Sequence, residues 1–184
     1  MIVPNDDTQR VGLIGWPVEH SVSPAMFNTA FEALGMNWHY ESFPTPPDRL
    51  HDTLRVLKTR DLVGFNVTVP HKRSVIPLLD ELRPEAKTIG AVNTVIAGED
   101  GCWRGTNTDI MGFHTDLLAN LEPQASGRAL VLGAGGAARA VTFVLARFGY
   151  QIHIACRNPS KGLEMIRDVQ TGLTSTHAGA GVNT

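Results

Sequence analysis

The stretch Gly64-Phe65-Asn66-Val67-Thr68-Val69-Pro70-His71-Lys72 carries residue types that can read a polar ligand. Asn66 and Thr68 alternate with Val67 and Val69, so an extended strand turns two polar side chains to one face and two apolar ones to the other. Pro70 has no N–H to give to a sheet ladder. It ends the strand and delivers Lys72 just beyond the carboxyl end, where open α/β sheets hold their ligands. The same pattern also describes a strand with one wet face followed by a solvated lysine, so other stretches must decide between the two.

Two hydroxyls come earlier in the chain. Ser21 and Ser23 precede Pro24, and serine before proline is a helix start. Both hydroxyls then stand beside backbone amides at the positive end of a helix, a setting suited to a carboxylate or phosphate. Ser23 alone reads as a cap; the pair reads as an anion site. Further on, Asn93 interrupts the apolar run of Gly90-Ala91-Val92-Asn93-Thr94-Val95-Ile96, and a buried amide there needs partners, from a neighbouring loop or from a ligand. Asp109 closes the polar loop Gly105-Thr106-Asn107-Thr108-Asp109 and opens the next helix. Taken alone it complements that helix's dipole.

A different kind of unit begins at Arg128. The apolar run Arg128 to Leu132 enters Gly133-Ala134-Gly135-Gly136-Ala137-Ala138, and Ala138 holds the small third position of the dinucleotide fingerprint. A strand before the glycines and a helix after them give this short motif its required setting. The second strand of the unit, Gln151 to Cys156, ends without the acidic residue that would take a ribose 2′-hydroxyl. Arg157 stands there instead, followed by Ser160 and Lys161, a donor set matched to a phosphate, so NADP is expected as cofactor in preference to NAD.

The elements that must position these residues follow from hydrophobic spacing. Val11 to Gly15 reads as a buried strand; Met26, Phe27, Ala30, Phe31 and Leu34 keep a helical rhythm up to Gly35. Trp38 to Phe43 reads as a second strand, Asp48 to Leu57 as a helix, Val63 to Val69 as a strand, and Val75 to Leu79 as part of a helix. Gly90 to Ile96 reads as a further strand. Helices are expected after Asp109, with Phe113, Leu117, Leu118 and Leu121 facing inward, and after the glycine turn, closing at Gly149. Glu122 to Gly127 has the composition of a linker.

The 184-residue chain has a formal net charge of −2 and no basic cluster, which argues against a nucleic-acid partner. Cys102 and Cys156 lack the close spacing of a zinc or redox pair, so no metal is expected and a reducing, cytoplasmic setting fits. No apolar run is long enough to span a bilayer. Small-molecule partners, no membrane, and a monomeric or homodimeric state are the expectations.

With these motifs in hand, the chain resembles shikimate dehydrogenases. The matching stretches are Gly12 to Gly15 with Ser21 to Pro24, Asn66 to Pro70 with Lys72, Gly90 to Thr94, Gly105 to Asp109, and Gly133 to Ala137. The resemblance implies reversible, NADP-dependent reduction of 3-dehydroshikimate to shikimate, a step towards chorismate and the aromatic amino acids. It places Ser21 and Ser23 on the substrate carboxylate and Asn66, Thr68, Asn93 and Asp109 on ring hydroxyls, with Lys72 and Asp109 as the catalytic pair. The chemistry agrees, because a ketone taking hydride needs a proton on its oxygen and a positioned ammonium supplies one. For the cofactor it implies Gly133, Ala134, Gly135, Gly136, Ala137, Cys156, Arg157, Asn158, Ser160 and Lys161. Cys156 replaces a usual asparagine and Asn158 a common threonine, which weakens adenosine contacts.

The implied architecture is α/β: a substrate-binding domain with a mainly parallel sheet over about 1–105, then an incomplete Rossmann-like nucleotide domain over 106–184. Only the first two strands of a doubly wound domain fit after Gly133, so the chain reads as an amino-terminal portion and is expected to be weakly active or inactive by itself. Two rivals share the motifs: a quinate/shikimate dehydrogenase and a non-catalytic shikimate-binding module.

Overall fold

The computed structural model describes residues 4–121 and 127–178, with side chains up to 174. The linker expected over 122–127 lies outside the described residues apart from Gly127, as does the end of the chain from 179. The chain divides into two compact units. The first runs through Leu82 and adds Val92–Thr106; the second comprises Arg83–Ala91 and the chain from Asn107 onward. The sequence reading put 83–91 in the first domain; its contacts are with the second unit.

The first unit is a six-stranded mixed sheet ordered β2-β1-β3-β5-β6-β4. Its strands are β1 (Gln9–Gly15), β2 (Trp38–Pro44), β3 (Leu62–Val67), β4 (Glu81–Leu82), β5 (Thr94–Ala97) and β6 (Trp103–Thr106). β1 pairs in parallel with β2 and β3, while β5 is antiparallel to both β3 and β6. The parallel connections carry helices α1 (Ser23–Ala33) and α2 (Leu50–Leu57), as parallel crossovers require. α1 lays Phe27 and Phe31 on a cluster of Leu13, Val18 and Tyr40, and α2 buries Leu50, Leu54 and Leu57 at helical spacing.

The second unit contains α3 (Pro84–Ile89), α4 (Asp109–Asn120), β7 (Arg128–Leu132), α5 (Gly136–Arg147), β8 (Gln151–Ala155) and α6 (Pro159–Ala178). β7 and β8 pair in parallel. α5 supplies Ala140, Phe143, Val144 and Leu145 to two apolar clusters, one with Ile89, Met165 and Val169, the other with Leu117 and Val131. This strand, glycine turn, helix and strand make the unit Rossmann-like.

Three local expectations change. The helix read over Val75 to Leu79 shrinks to one 3₁₀ turn, Ile76–Leu78, because Pro77 cannot donate to a helical ladder. The strand read from Gly90 begins at Thr94, since Gly90 ends α3 in the left-handed region at φ 63°. Gly105 and Thr106, read as loop, complete β6.

Candidate functional site

In the first unit, the carboxyl ends of β1, β2 and β3 are tied to one another. Thr68 N–H donates to Ile14 O at 2.9 Å, Trp16 N–H to Val69 O at 2.9 Å, and Thr45 N–H to Gly15 O at 2.9 Å. A Cβ at Gly15 would crowd the Thr68 Cγ2 and Val18 Cγ1 methyls, so any larger residue would have to displace them. The buried His71 ring places Nε2 2.7 Å from Thr45 O, and its backbone N–H donates to Thr68 O. Lys72 follows, half-buried, and its carbonyl accepts from Val92 N–H at 2.7 Å. The lysine thus leaves a segment whose backbone is fixed on both sides.

The serine pair is arranged differently from the sequence reading. Val22 is already helical, at φ −81° and ψ −7°, so α1 starts one residue early and Ser23 is its first residue, not its cap. Ser21 Oγ accepts the Ser23 amide at 3.3 Å. Both hydroxyls remain at the helix amino end.

A chain of side-chain hydrogen bonds then crosses the sheet. Tyr40 O–H donates to Asn66 Oδ1 at 2.9 Å, Asn66 Nδ2 donates to Thr94 Oγ1 at 3.3 Å, and Thr94 donates to Asn93 Oδ1 at 2.9 Å. Burial pushes the Tyr40 phenol up to about 12, against a smaller opposing pull from the Ser23 side chain, so it stays protonated and able to donate. A cavity of about 300 Å³ opens beside this chain, lined by Phe27, Phe31, Tyr40, Asn66 and Thr94 among others. Asn66 and Asn93 are therefore linked, while Tyr40 and Thr94 are members that residue-by-residue reading missed. The only signal was register: Asn66 pairs across strands with Thr94, and Val11 with Tyr40.

In the second unit Asp109 is the first residue of α4. Its amide donates to Asn107 Oδ1 at 3.0 Å, and the buried Asn107 donates through Nδ2 to Ala91 O at 3.1 Å. The glycine turn ends β7: Gly133 has φ 107°, open only to glycine without strain, and its N–H donates to Ala155 O at 2.8 Å. Gly135 precedes α5 with no side chain capping it, and a Cβ added at Gly133 or Gly135 would meet nothing within 4 Å. Gly136 and exposed Ala137 form the first turn, and Ala134 packs below against the Ile89 cluster. Open space above uncapped amides at a helix start fits a dinucleotide pyrophosphate.

After β8, Cys156 Sγ donates to Asn158 O at 3.2 Å. Asn158 Oδ1 accepts the amides of Ser160 and Lys161 at 3.1 and 3.3 Å, closing the first turn of α6 as a threonine in that place would. Arg157, Ser160 and Lys161 are exposed beside it, a donor group suited to a phosphate.

The class of protein follows from these two halves: a mainly parallel α/β unit with a hydroxyl and carboxamide chain, joined to a Rossmann-like glycine-turn unit. Within that class, residues 13–95 match the family model described as the shikimate dehydrogenase substrate binding domain. The shikimate dehydrogenase (NADP(+)) of Citrifermentans bemidjiense is 45% identical over 174 residues, covering 94% of this chain and 60% of that protein. The crystal structure of shikimate dehydrogenase from Aquifex aeolicus superposes with a TM-score of 0.82 at 39% identity, over 90% of this chain and 62% of that one. Shikimate 5-dehydrogenase from Thermus thermophilus, solved in complex with NADP(H) and shikimate, gives a TM-score of 0.77 at 41% identity, over 89% and 61%. The chain is similar to shikimate dehydrogenases along nearly its whole length, and spans about 60% of the curated relatives it matches.

Proposed function

We propose that this chain carries the substrate grip and the phosphate cradle of an NADP-dependent shikimate dehydrogenase, which reversibly reduces 3-dehydroshikimate to shikimate in chorismate and aromatic amino acid biosynthesis. The observation that carries this reading is the bonded chain Tyr40, Asn66, Thr94 and Asn93, a set of polar groups matched to a hydroxylated ring acid. The substrate-binding part is the mixed-sheet unit, corresponding to about residues 1–105, and the cofactor part is the glycine-turn unit after it.

In this reading Ser21 and Ser23 hold the carboxylate at the start of α1, where the helix dipole favours an anion. Asn66, Thr68, Asn93 and Asp109 bond ring hydroxyls. Lys72 donates a proton to the carbonyl oxygen during reduction and takes it back in the reverse direction, and Asp109 orients it. NADPH, when bound, supplies the hydride. Gly133 to Ala137 leave room for its pyrophosphate, and Cys156, Arg157, Asn158, Ser160 and Lys161 surround the adenosine phosphate. Two free cysteines, Cys102 and Cys156, fit a cytoplasmic setting, and no described helix is long and apolar enough to cross a membrane. A small molecule is the partner, to a monomer or homodimer.

Calorimetric titration with shikimate, quinate, NADP and NAD tests this. Shikimate and NADP are the expected preferences; binding of quinate or NAD in their place would overturn the assignment. The described nucleotide unit has two strands and exposes Leu130 and Leu132, so NADP binding and NADPH oxidation by this chain should be weak beside shikimate binding.

A further inference from the structure

Tyr40 lies in none of the motifs that suggested a function, yet its phenol bonds a candidate ligand residue directly. The residue is 3% exposed, and its ring stacks on Phe27 with centroids 4.6 Å apart and planes at 5°. Its backbone is clasped by the Asn28 side chain of α1: Asn28 Nδ2 donates to Tyr40 O at 2.9 Å and Tyr40 N–H donates to Asn28 Oδ1 at 2.8 Å. β2 is an edge strand, so these are the outward groups of Tyr40 that no neighbouring strand can pair. Ring, backbone and hydroxyl of Tyr40 are all held.

The two ends of the Asn66 carboxamide are held unequally. Its oxygen accepts from the rigid phenol at 2.9 Å, whereas its nitrogen makes two long bonds, 3.3 Å to Thr94 Oγ1 and 3.5 Å to Asn93 O. The short phenol bond and the Asn93 carbonyl, which can only accept, together set which way the amide faces, and the long bonds are easily exchanged for a ligand oxygen. Without the phenol, only the long 3.5 Å bond to the Asn93 carbonyl opposes the nearly isosteric flipped amide, which presents its acceptor to the ligand in place of its donor.

We infer that Tyr40 is a positioning residue that locks the Asn66 carboxamide with its N–H groups available to a ligand oxygen, making this position select a hydrogen-bond acceptor on the ring. This rests on the shikimate reading above and deepens it by naming what sets the polarity of one contact. Thr94 repeats the arrangement at Asn93, whose Oδ1 is likewise engaged.

Tyr40→Phe keeps the stacked ring and removes only the hydroxyl. Affinities of the wild type and of this variant are measured by NMR titration with shikimate and with cyclohex-1-enecarboxylate, which has the carboxylate and no hydroxyl. The variant should bind shikimate about tenfold more weakly and the hydroxyl-free acid unchanged. Combined with Asn66→Ala, which leaves no carboxamide to orient, Tyr40→Phe should cost nothing further. Equal losses for both ligands, or the same loss without the carboxamide, would overturn the inference. The Asn66 side-chain amide resonances provide a ligand-free reading: protected from exchange in the wild type and averaged in Tyr40→Phe, or, against the inference, identical in the two. A wild type that ignores shikimate would remove the functional reading alone, and the amide resonances would still decide the role of Tyr40.

Discussion

The guanidinium of Arg139, fully buried on α5, donates through Nη1 to the Ile89 carbonyl at 2.9 Å and to the Asp168 carboxylate at 2.7 Å. One side chain thereby ties α3, α5 and α6 together, and it explains why 83–91 groups with the glycine-turn unit. The two partners differ in exposure: the arginine side chain is 0% exposed and the aspartate 41%. Asp168→Ala leaves a buried cation half-paired, whereas Arg139→Met leaves an aspartate that water can solvate. Asp168→Ala should therefore destabilise the unit by about 2–3 kcal/mol and Arg139→Met by about 1–2 kcal/mol, with the double variant close to the latter. Chemical denaturation of the three variants checks the order; the reverse order would disprove the account.

Lys72 leaves a backbone fixed by His71, Thr68 and Val92, so its removal should change chemistry more than shape. Lys72→Ala should lower whatever NADPH-dependent turnover the chain supports by about 10²–10⁴-fold, with shikimate affinity changing less than about tenfold. Turnover equal to that of the parent protein would end the catalytic assignment.

Arg157 is exposed beside the capped first turn of α6. Arg157→Ala should weaken NADP about tenfold or more and leave NAD nearly unaffected, because only NADP presents the extra phosphate. Titration with both cofactors decides, and a parallel loss for the two would point to a general loss of the turn.

Tyr40 gives a pH signature. Burial raises its phenol from 10.0 to about 12, so between those values the folded chain keeps a proton that the unfolded chain releases. The stability this contributes is intact below pH 10 and is lost as pH rises through the folded value. Tyr40→Phe lacks the titrating group, so the urea midpoints of the two proteins should converge across that alkaline window. A stability gap constant with pH would rule this out.

Local pattern was enough to determine much of this protein. Alternation around Asn66, the serine pair before Pro24, helical spacing in α1, α2 and α5, and the glycine turn between β7 and β8 are written in residues a few positions apart, where backbone sterics and periodic burial act directly. The bonded chain from Tyr40 to Asn93 is not, because Tyr40 meets Asn66 across 26 positions and only the order β2-β1-β3-β5 brings them to one face. The start of α1 moved by one residue because Val22 took helical angles that Ser23 before Pro24 did not announce. Arg139, an unremarkable arginine in an apolar helix, became a buried tie only when α3 and α6 packed around it. Contacts between distant segments depend on which elements share a core, and that is set by tertiary packing, which local spacing does not record.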